Sequence, residues 1–157
     1  MLVSSYTLFS KDNRNELAKY SSPPPAFTIS DDPTAKYIHM LFAIADPNLG
    51  LIVSTISPPV YRALECLEIN WPAMLEDLST GQINAELPLT LKQRRALQSY
   101  LRPDLHRVRQ LKREFEKGFD GIAKRIWPHL VAFVGADVLG YMKKLRKIYG
   151  KGMCQQN

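Results

Sequence analysis

The sequence contains one group of clustered carboxylates, made up of Glu65, Glu68, Glu76 and Asp77. Two neighbouring carboxyl groups can hold protons with different pKa values, and so divide the work of acid and base between them. Glu65 and Glu68 are spaced to lie on the same face of a helix. Acids on the solvent side of an amphipathic helix show the same spacing, and we favour that structural interpretation.

The three histidines, His39, His106 and His129, are scattered along the chain, and none has a second ligand at the spacing of a metal site. The sequence also lacks a Gly-rich phosphate loop and a Gly-x-Ser-x-Gly elbow. We therefore assign the histidines structural or surface positions. We predict no catalytic, metal-binding or cofactor-binding residue in this chain.

Positive charge is concentrated in the second half of the chain. Residues 1–90 carry a net charge of −5 and residues 91–157 a net charge of +11, within an overall charge of +6. The densest run, from Lys92 to Arg113, could contact the phosphates of a nucleic acid. Glu114 and Glu116 continue the same run, and we favour a solvated helix face. A small basic nucleic-acid-binding protein is kept as an alternative, although nucleic acid is disfavoured as a partner.

Two short apolar segments predict the strands that would position a binding site. Leu49–Ile56 is rich in β-branched residues, and Leu130–Val134 is too short for a helix and suits a strand buried on both faces. In open α/β sheets, ligands bind outside the carboxyl ends of the strands. We predict that the two strands are parallel neighbours, and that their carboxyl ends form a site.

The corner after the second strand is predicted from Gly135, Ala136 and Asp137. Glycine allows a turn and a close approach of a ligand to the backbone, and Asp137 is a candidate cap for a helix that begins there. The start of that helix would offer free N–H groups to the same space. Other predicted helices begin at Asp31, at Ser57-Pro58, at Trp71 (ending at Gly81), at Thr90 (to about Leu101) and at Pro103, and one ends at Trp127-Pro128.

These elements predict an α/β fold that is rich in helix and incomplete, because two strands alone make a poor sheet. The predicted organisation is an extended segment with a Pro-rich loop (residues 1–30), a partial α/β domain (31–149) and a divergent tail (150–157). Open strand edges would allow self-association. Cys66 and Cys154 are interpreted as free thiols of a cytoplasmic protein. We see neither a signal peptide nor an apolar segment long enough to cross a membrane.

The order and spacing of certain residues resemble one known family over about residues 20–149. The matching residues are Ser22-Pro23, Asp31, Tyr37, Leu41, Leu49–Ile56, Ala63, Leu67, Asn70-Trp71, Asp77, Gly81, Leu101, Pro103, Gly121-Ile122, Ile126-Trp127-Pro128, Gly135, Tyr141 and Leu145. This pattern is similar to the auxin-responsive Gretchen Hagen family of acyl-acid amido synthetases, within the adenylate-forming superfamily. The resemblance implies that the chain is a fragment of the large domain of such an enzyme.

The resemblance also implies a ligase chemistry for the full-length family. A carboxylic acid reacts with ATP, with Mg²⁺ present, to give an acyl-adenylate, and an amino acid then takes the acyl group. The family's phosphate-binding and adenylate-binding motifs are not found in this chain, so we expect it to be inactive alone. By resemblance, part of the acyl pocket would consist of Val53, Thr55, Ile56, Val134 and Gly135. A non-catalytic remnant that binds a partner is a further alternative.

Overall fold

The computed structural model of the chain describes residues 20–151. A 3₁₀ helix covers Pro24–Thr28, and the elements that follow are α1 (Asp32–Ala45), β1 (Leu51–Ile56), α2 (Ser57–Thr80), α3 (Leu91–Gln98), α4 (Leu105–Phe115), α5 (Ile122–Ile126), β2 (Ala132–Ala136) and α6 (Tyr141–Ile148). The predicted helix-rich α/β class is confirmed. Most of the predicted N-terminal extended segment, and the tail with Cys154, lie outside the described residues. None of the helices within residues 20–151 has the length and apolar character needed to cross a membrane.

Helix α1 forms where the sequence predicts it and lies at the centre of the core. The Asp31 side chain accepts a hydrogen bond from the backbone N–H of Thr34 at 3.0 Å, and a proline occupies the first turn. The predicted apolar face is buried, and it consists of Tyr37, Met40, Leu41 and Ile44. Asp46 ends the helix, as expected.

The carboxyl end of α1 explains why an arginine and a tryptophan are buried together. The indole Nε1–H of Trp127 donates to the carbonyl of Ala43 at 2.9 Å, and Nε of Arg107 donates to the carbonyl of Ile44 at 2.8 Å. A terminal nitrogen of Arg107 also donates to the carbonyl of Ile126 at 2.8 Å. The last carbonyls of a helix lack partners in a following turn, so these side chains help to satisfy them in the interior. The carbonyl of Ala43 also accepts the N–H of Asp46 at 3.3 Å.

Helix α2 is one helix of 24 residues, whereas the sequence predicted two helices with a new start at Trp71. Pro72 lies inside α2, on its exposed side, and removes one backbone hydrogen bond. Buried residues on both sides of the proline, among them Leu67 and Met74, hold the helix against the core. The predicted stop is correct, since Gly81 adopts a left-handed conformation with φ of 69°.

Strands β1 and β2 pair in parallel, which confirms the predicted arrangement. The register joins Leu51 to Ala132, Ile52 to Phe133, Val53 to Val134 and Ile56 to Ala136. β2 begins two residues later than Leu130, and the prediction that it is buried on both faces is wrong. Ile52 and Phe133 are buried against the helices, but Val134 is 43% exposed on the other face. We call that other face, formed by Leu51, Val53, Ala132 and Val134, the outer sheet face.

Candidate functional site

The carboxyl ends of β1 and β2 meet at one edge of the sheet, where the register shifts. Between Val53↔Val134 and Ile56↔Ala136, β1 has one residue more than β2, so Ser54 and Thr55 form a bulge. Bulges are common beside active sites, because they bend a strand and redirect its side chains. We call this end of the sheet the strand-end site. Its position matches the edge at which ligands bind in open α/β sheets.

All five residues predicted for the acyl pocket lie at or next to the strand-end site. Val53 and Val134 are register partners on the outer sheet face, and Thr55 is exposed in the bulge. Ile56 and Val134 are 40% and 43% exposed, so the site presents apolar surface. Their role in binding an acyl group stays a prediction.

Gly135 has a different role from the one expected. It lies within β2, and the chain does not turn there. A Cβ atom at this position would lie 2.9 Å from the carbonyl oxygen of Ser54 and 3.2 Å from the carbonyl carbon of Ile56. Glycine is therefore needed for the close approach of β2 to the bulge of β1, and the approach of a ligand to Gly135 stays a prediction.

The buried Ser57, at the start of α2, forms hydrogen bonds with the loop that follows β2. Oγ of Ser57 donates to Oδ1 of Asp137 at 3.3 Å and accepts from the N–H of Val138 at 3.1 Å. Sequence reasoning missed this contact, because a serine before Pro58 was interpreted as a helix cap. Ser57 is instead the first residue of α2, and the cap position belongs to Ile56.

The predicted cap Asp137 precedes the helix by a short loop. α6 begins at Tyr141, and Gly140 holds the cap position with φ of 73°. Oδ1 of Asp137 still accepts the N–H of Met142 at 2.9 Å, and the N–H of Tyr141 donates to the carbonyl of Val138 at 3.1 Å. These N–H groups of α6 are thus occupied. The expectation of free N–H groups at this corner is therefore wrong for the N–H groups of Tyr141 and Met142.

Three of the clustered carboxylates have separate partners, and two of these partners lie outside α2. Glu65 pairs with Arg62 at 2.9 Å, and Glu68 accepts from the hydroxyl of Tyr149 at 2.7 Å. Asp77 is buried, although an exposed position was expected. It accepts from the hydroxyl of Tyr37 at 2.9 Å, and its burial raises the pKa of this carboxyl group.

The histidines occupy structural and surface positions, as predicted. His39 is buried, and its Nδ1 lies 2.7 Å from Oγ of Ser22. Burial lowers the pKa of His39 to about 4, since the charged imidazolium is poorly solvated there. His106 and His129 are exposed. Across residues 20–151, no group of three or more His, Cys, Asp or Glu side chains is placed to hold a metal ion.

The basic run is a solvated face only in part. Lys92, Arg109 and Arg113 are exposed, as expected. Arg94 instead donates to four backbone carbonyls of residues 83–87, at 2.9–3.1 Å, and Arg107 is buried under α1. The prediction of a uniform solvated face is therefore wrong for these two arginines. Both side chains form charge-assisted hydrogen bonds with carbonyl groups of the chain's own backbone.

Comparison with known proteins identifies the relatives of this chain. The family model described as the GH3 family N-terminal domain matches residues 2–153. The indole-3-acetic acid-amido synthetase GH3.6 of Arabidopsis thaliana is 28% identical over 127 residues, which are 80% of this chain and 20% of that protein.

Solved structures share the fold. The GH3.15 acyl acid amido synthetase superposes with a TM-score of 0.74 at 18% identity, over 87% of this chain and 26% of its own. The AtGH3.15 acyl acid amido synthetase in complex with 2,4-DB gives a TM-score of 0.66 at 16% identity, over 79% and 23%. The chain thus spans about a fifth to a quarter of the length of these relatives.

Proposed function

The chain belongs to the GH3 family, and from that premise we propose that it forms part of the acyl-acid pocket of an amido synthetase. The proposed reaction has two steps. A carboxylate oxygen of the acid attacks the α-phosphorus of ATP, which releases pyrophosphate and leaves an acyl-adenylate. The amine of an amino acid then attacks the acyl carbon, which forms the amide and releases AMP.

The strand-end site is the part of this chain that we assign to the reaction. The observation that carries the assignment is the parallel pairing of β1 and β2, which brings Val53, Thr55, Ile56, Val134 and Gly135 to one edge. The exposed side chains there include the apolar Ile56 and Val134. An apolar surface favours the hydrocarbon part of an acid, because burial of that part from water is favourable.

We do not assign the nucleotide chemistry of the reaction to the described residues. A Mg²⁺ ion that accompanies ATP is usually held by one or two carboxylates together with the phosphates, and we assign none of the carboxylates of residues 20–151 to it. At the start of α2, Pro58 and Pro59 also lack the N–H groups that bind phosphates at helix starts. We therefore assign no step at the phosphates to these residues.

Binding of an acid tests the proposal directly. The probe is 2,4-DB, the compound in the complex of the relative described above, titrated into the 157-residue chain by NMR or calorimetry. We expect saturable binding that Val134→Asp weakens by at least about tenfold, since a charge would be placed on the apolar edge. Ile69→Asp is the matched control, because Ile69 is 76% exposed on α2, outside the strand-end site.

Two results would contradict the assignment. One is equal binding by the wild type and the Val134→Asp variant, and the other is equal weakening by Val134→Asp and Ile69→Asp. The nucleic-acid alternative is not favoured, since Arg94 and Arg107 of the basic run donate hydrogen bonds to backbone carbonyls.

The two cysteines are interpreted as free thiols, and we therefore propose that the protein is located in the reducing cytoplasm.

A further inference from the structure

A second cleft lies at the other end of the sheet, away from the strand-end site. Its volume is about 550 Å³, which lies within the range of about 300–1,000 Å³ that is usual for small-molecule sites. Its walls come from α4, from α5 and from the loops that precede β1 and β2, which contribute Asn48 and His129. The cleft is therefore next to the amino ends of the strands.

The charges on the walls of this cleft are out of balance. Arg107, Arg113, Lys117 and Arg125 line it, and Glu114 is the one lining carboxylate within the described residues. Glu114 is shared, since it lies 2.6 Å from Nζ of Lys117 and 3.1 Å from a terminal nitrogen of Arg125. The hydrogen bond from Lys117 lowers the pKa of Glu114, and Arg125 lowers it further.

Two of these arginines have no carboxylate partner within residues 20–151. Arg107 donates to the carbonyls of Ile44 and Ile126, and Nε of Arg113 donates to the carbonyl of Arg109. Carbonyls satisfy hydrogen bonds but carry no net charge. Asp104 and Asp46 favour the charged form of Arg107, but neither of them lines the cleft. An anion in the cleft would therefore be attracted by both guanidinium groups.

Arg125 supplies an independent observation. Its Nε atom is the one buried side-chain nitrogen or oxygen in the described part of the chain that has no hydrogen-bond partner. Buried polar groups are nearly always paired, and this N–H leaves part of the guanidinium of Arg125 without a hydrogen-bond acceptor. The terminal nitrogens of Arg125 are already bound to Glu114 and to the carbonyls of Gly118 and Asp120, so they hold the guanidinium in place.

We propose that this cleft binds a small anion that carries phosphoryl groups, at a site separate from the strand-end site. Guanidinium groups present planar pairs of N–H donors that match the oxygen atoms of a phosphate. Arg113 is exposed at the cleft, and we assign it the main contact with the anion. Arg107 and Arg125 contribute a fixed positive potential from the wall. This proposal does not depend on acid binding at the strand-end site.

The experiment is a calorimetric titration of the 157-residue chain with pyrophosphate at constant ionic strength. We expect saturable binding with one site per chain. Arg113→Gln should weaken it by at least about tenfold, the usual effect of losing one charged hydrogen bond. Arg109→Gln is the matched control, because Arg109 is exposed on the same helix but does not line the cleft. It should leave the affinity within about twofold of the wild type.

The outcomes distinguish a specific anion-binding site from nonspecific electrostatic attraction. Absence of saturable binding would overturn the proposal, and so would equal weakening by Arg113→Gln and Arg109→Gln, because both remove one charge from α4. Tighter binding of citrate than of pyrophosphate would overturn the assignment of the ligand as phosphoryl. Melting curves of both variants should match that of the wild type, since both arginines are exposed.

Discussion

At the scale of single residues, the arginines within the basic run differ sharply in their surroundings. Arg94 and Arg107 donate to backbone carbonyls of the α2–α3 loop, of α1 and of α5, whereas Arg95 and Arg109 are exposed. Spacing in the sequence placed all of them on helices, and that much was correct. It could not distinguish them, because each carbonyl partner is supplied by another segment of the chain.

Replacement of Arg94 by glutamine should destabilise the chain. The change removes donors to the carbonyls of Ile83, Asn84, Ala85 and Leu87, which then lose charge-assisted hydrogen bonds. We expect a loss of about 2 kcal/mol in the free energy of unfolding, measured by urea denaturation. Arg95→Gln is the control, and it should change this energy by less than about 0.5 kcal/mol. Equal midpoints for the two variants would contradict the structural role of Arg94.

His39 should make the stability depend on pH. Its pKa in the fold is about 4, below its ordinary value of 6.5, so the unfolded chain binds a proton more readily. The contribution is complete above about pH 6.5 and is lost as the pH falls toward 4, by up to about 3 kcal/mol. Unfolding by urea at a series of pH values measures the slope, and His39→Gln should flatten it. An unchanged slope in that variant would show that other groups cause it.

At the scale of elements, the sequence predicted what depends on local chemistry. The cap at Asp31 and the stop at Gly81 follow from residues close to one another, and the parallel pairing was predicted from two short apolar segments that helices separate in the sequence. The errors concern features that depend on the rest of the fold. Pro72 continues a helix because the core packs on both sides of it, and β2 is open on one face because helices cover only the other. The bulge that faces Gly135 has no signal in sequence spacing.

Gly135 should be required by the sheet itself. Gly135→Ala would place a methyl group 2.9 Å from the backbone oxygen of Ser54, and the strands would have to separate. We expect a loss of about 1–3 kcal/mol in the free energy of unfolding. Gly50→Ala is the matched control, since a Cβ at Gly50 meets nothing within 4 Å. Equal free energies of unfolding for the two variants would show that the close approach of β2 to β1 is not essential.

At the scale of the whole molecule, we propose a place for the acid at the strand-end site, and we assign no step of the nucleotide chemistry to the described residues. Positioning of the phosphates accounts for most of what an adenylating site must do. We therefore expect the purified 157-residue chain to show no acid-dependent exchange of pyrophosphate into ATP. The assay uses labelled pyrophosphate and a panel of carboxylic acids. Exchange above background with any of these acids would refute this expectation.

The two-stranded sheet should also cause the chain to associate with itself. Within residues 20–151, neither β1 nor β2 has a second neighbour, and the outer sheet face leaves Val134 43% exposed. Unpaired strand edges with apolar side chains pair readily with another copy. We expect light scattering after size exclusion to detect oligomers at micromolar concentration. Val134→Lys should shift the oligomers toward the monomer, because a charge on the outer sheet face opposes burial of that face. Ile69→Lys is the control, because Ile69 is exposed on α2, and it should leave the oligomers unchanged. A wild-type chain that is monomeric throughout would show that the open sheet does not drive association.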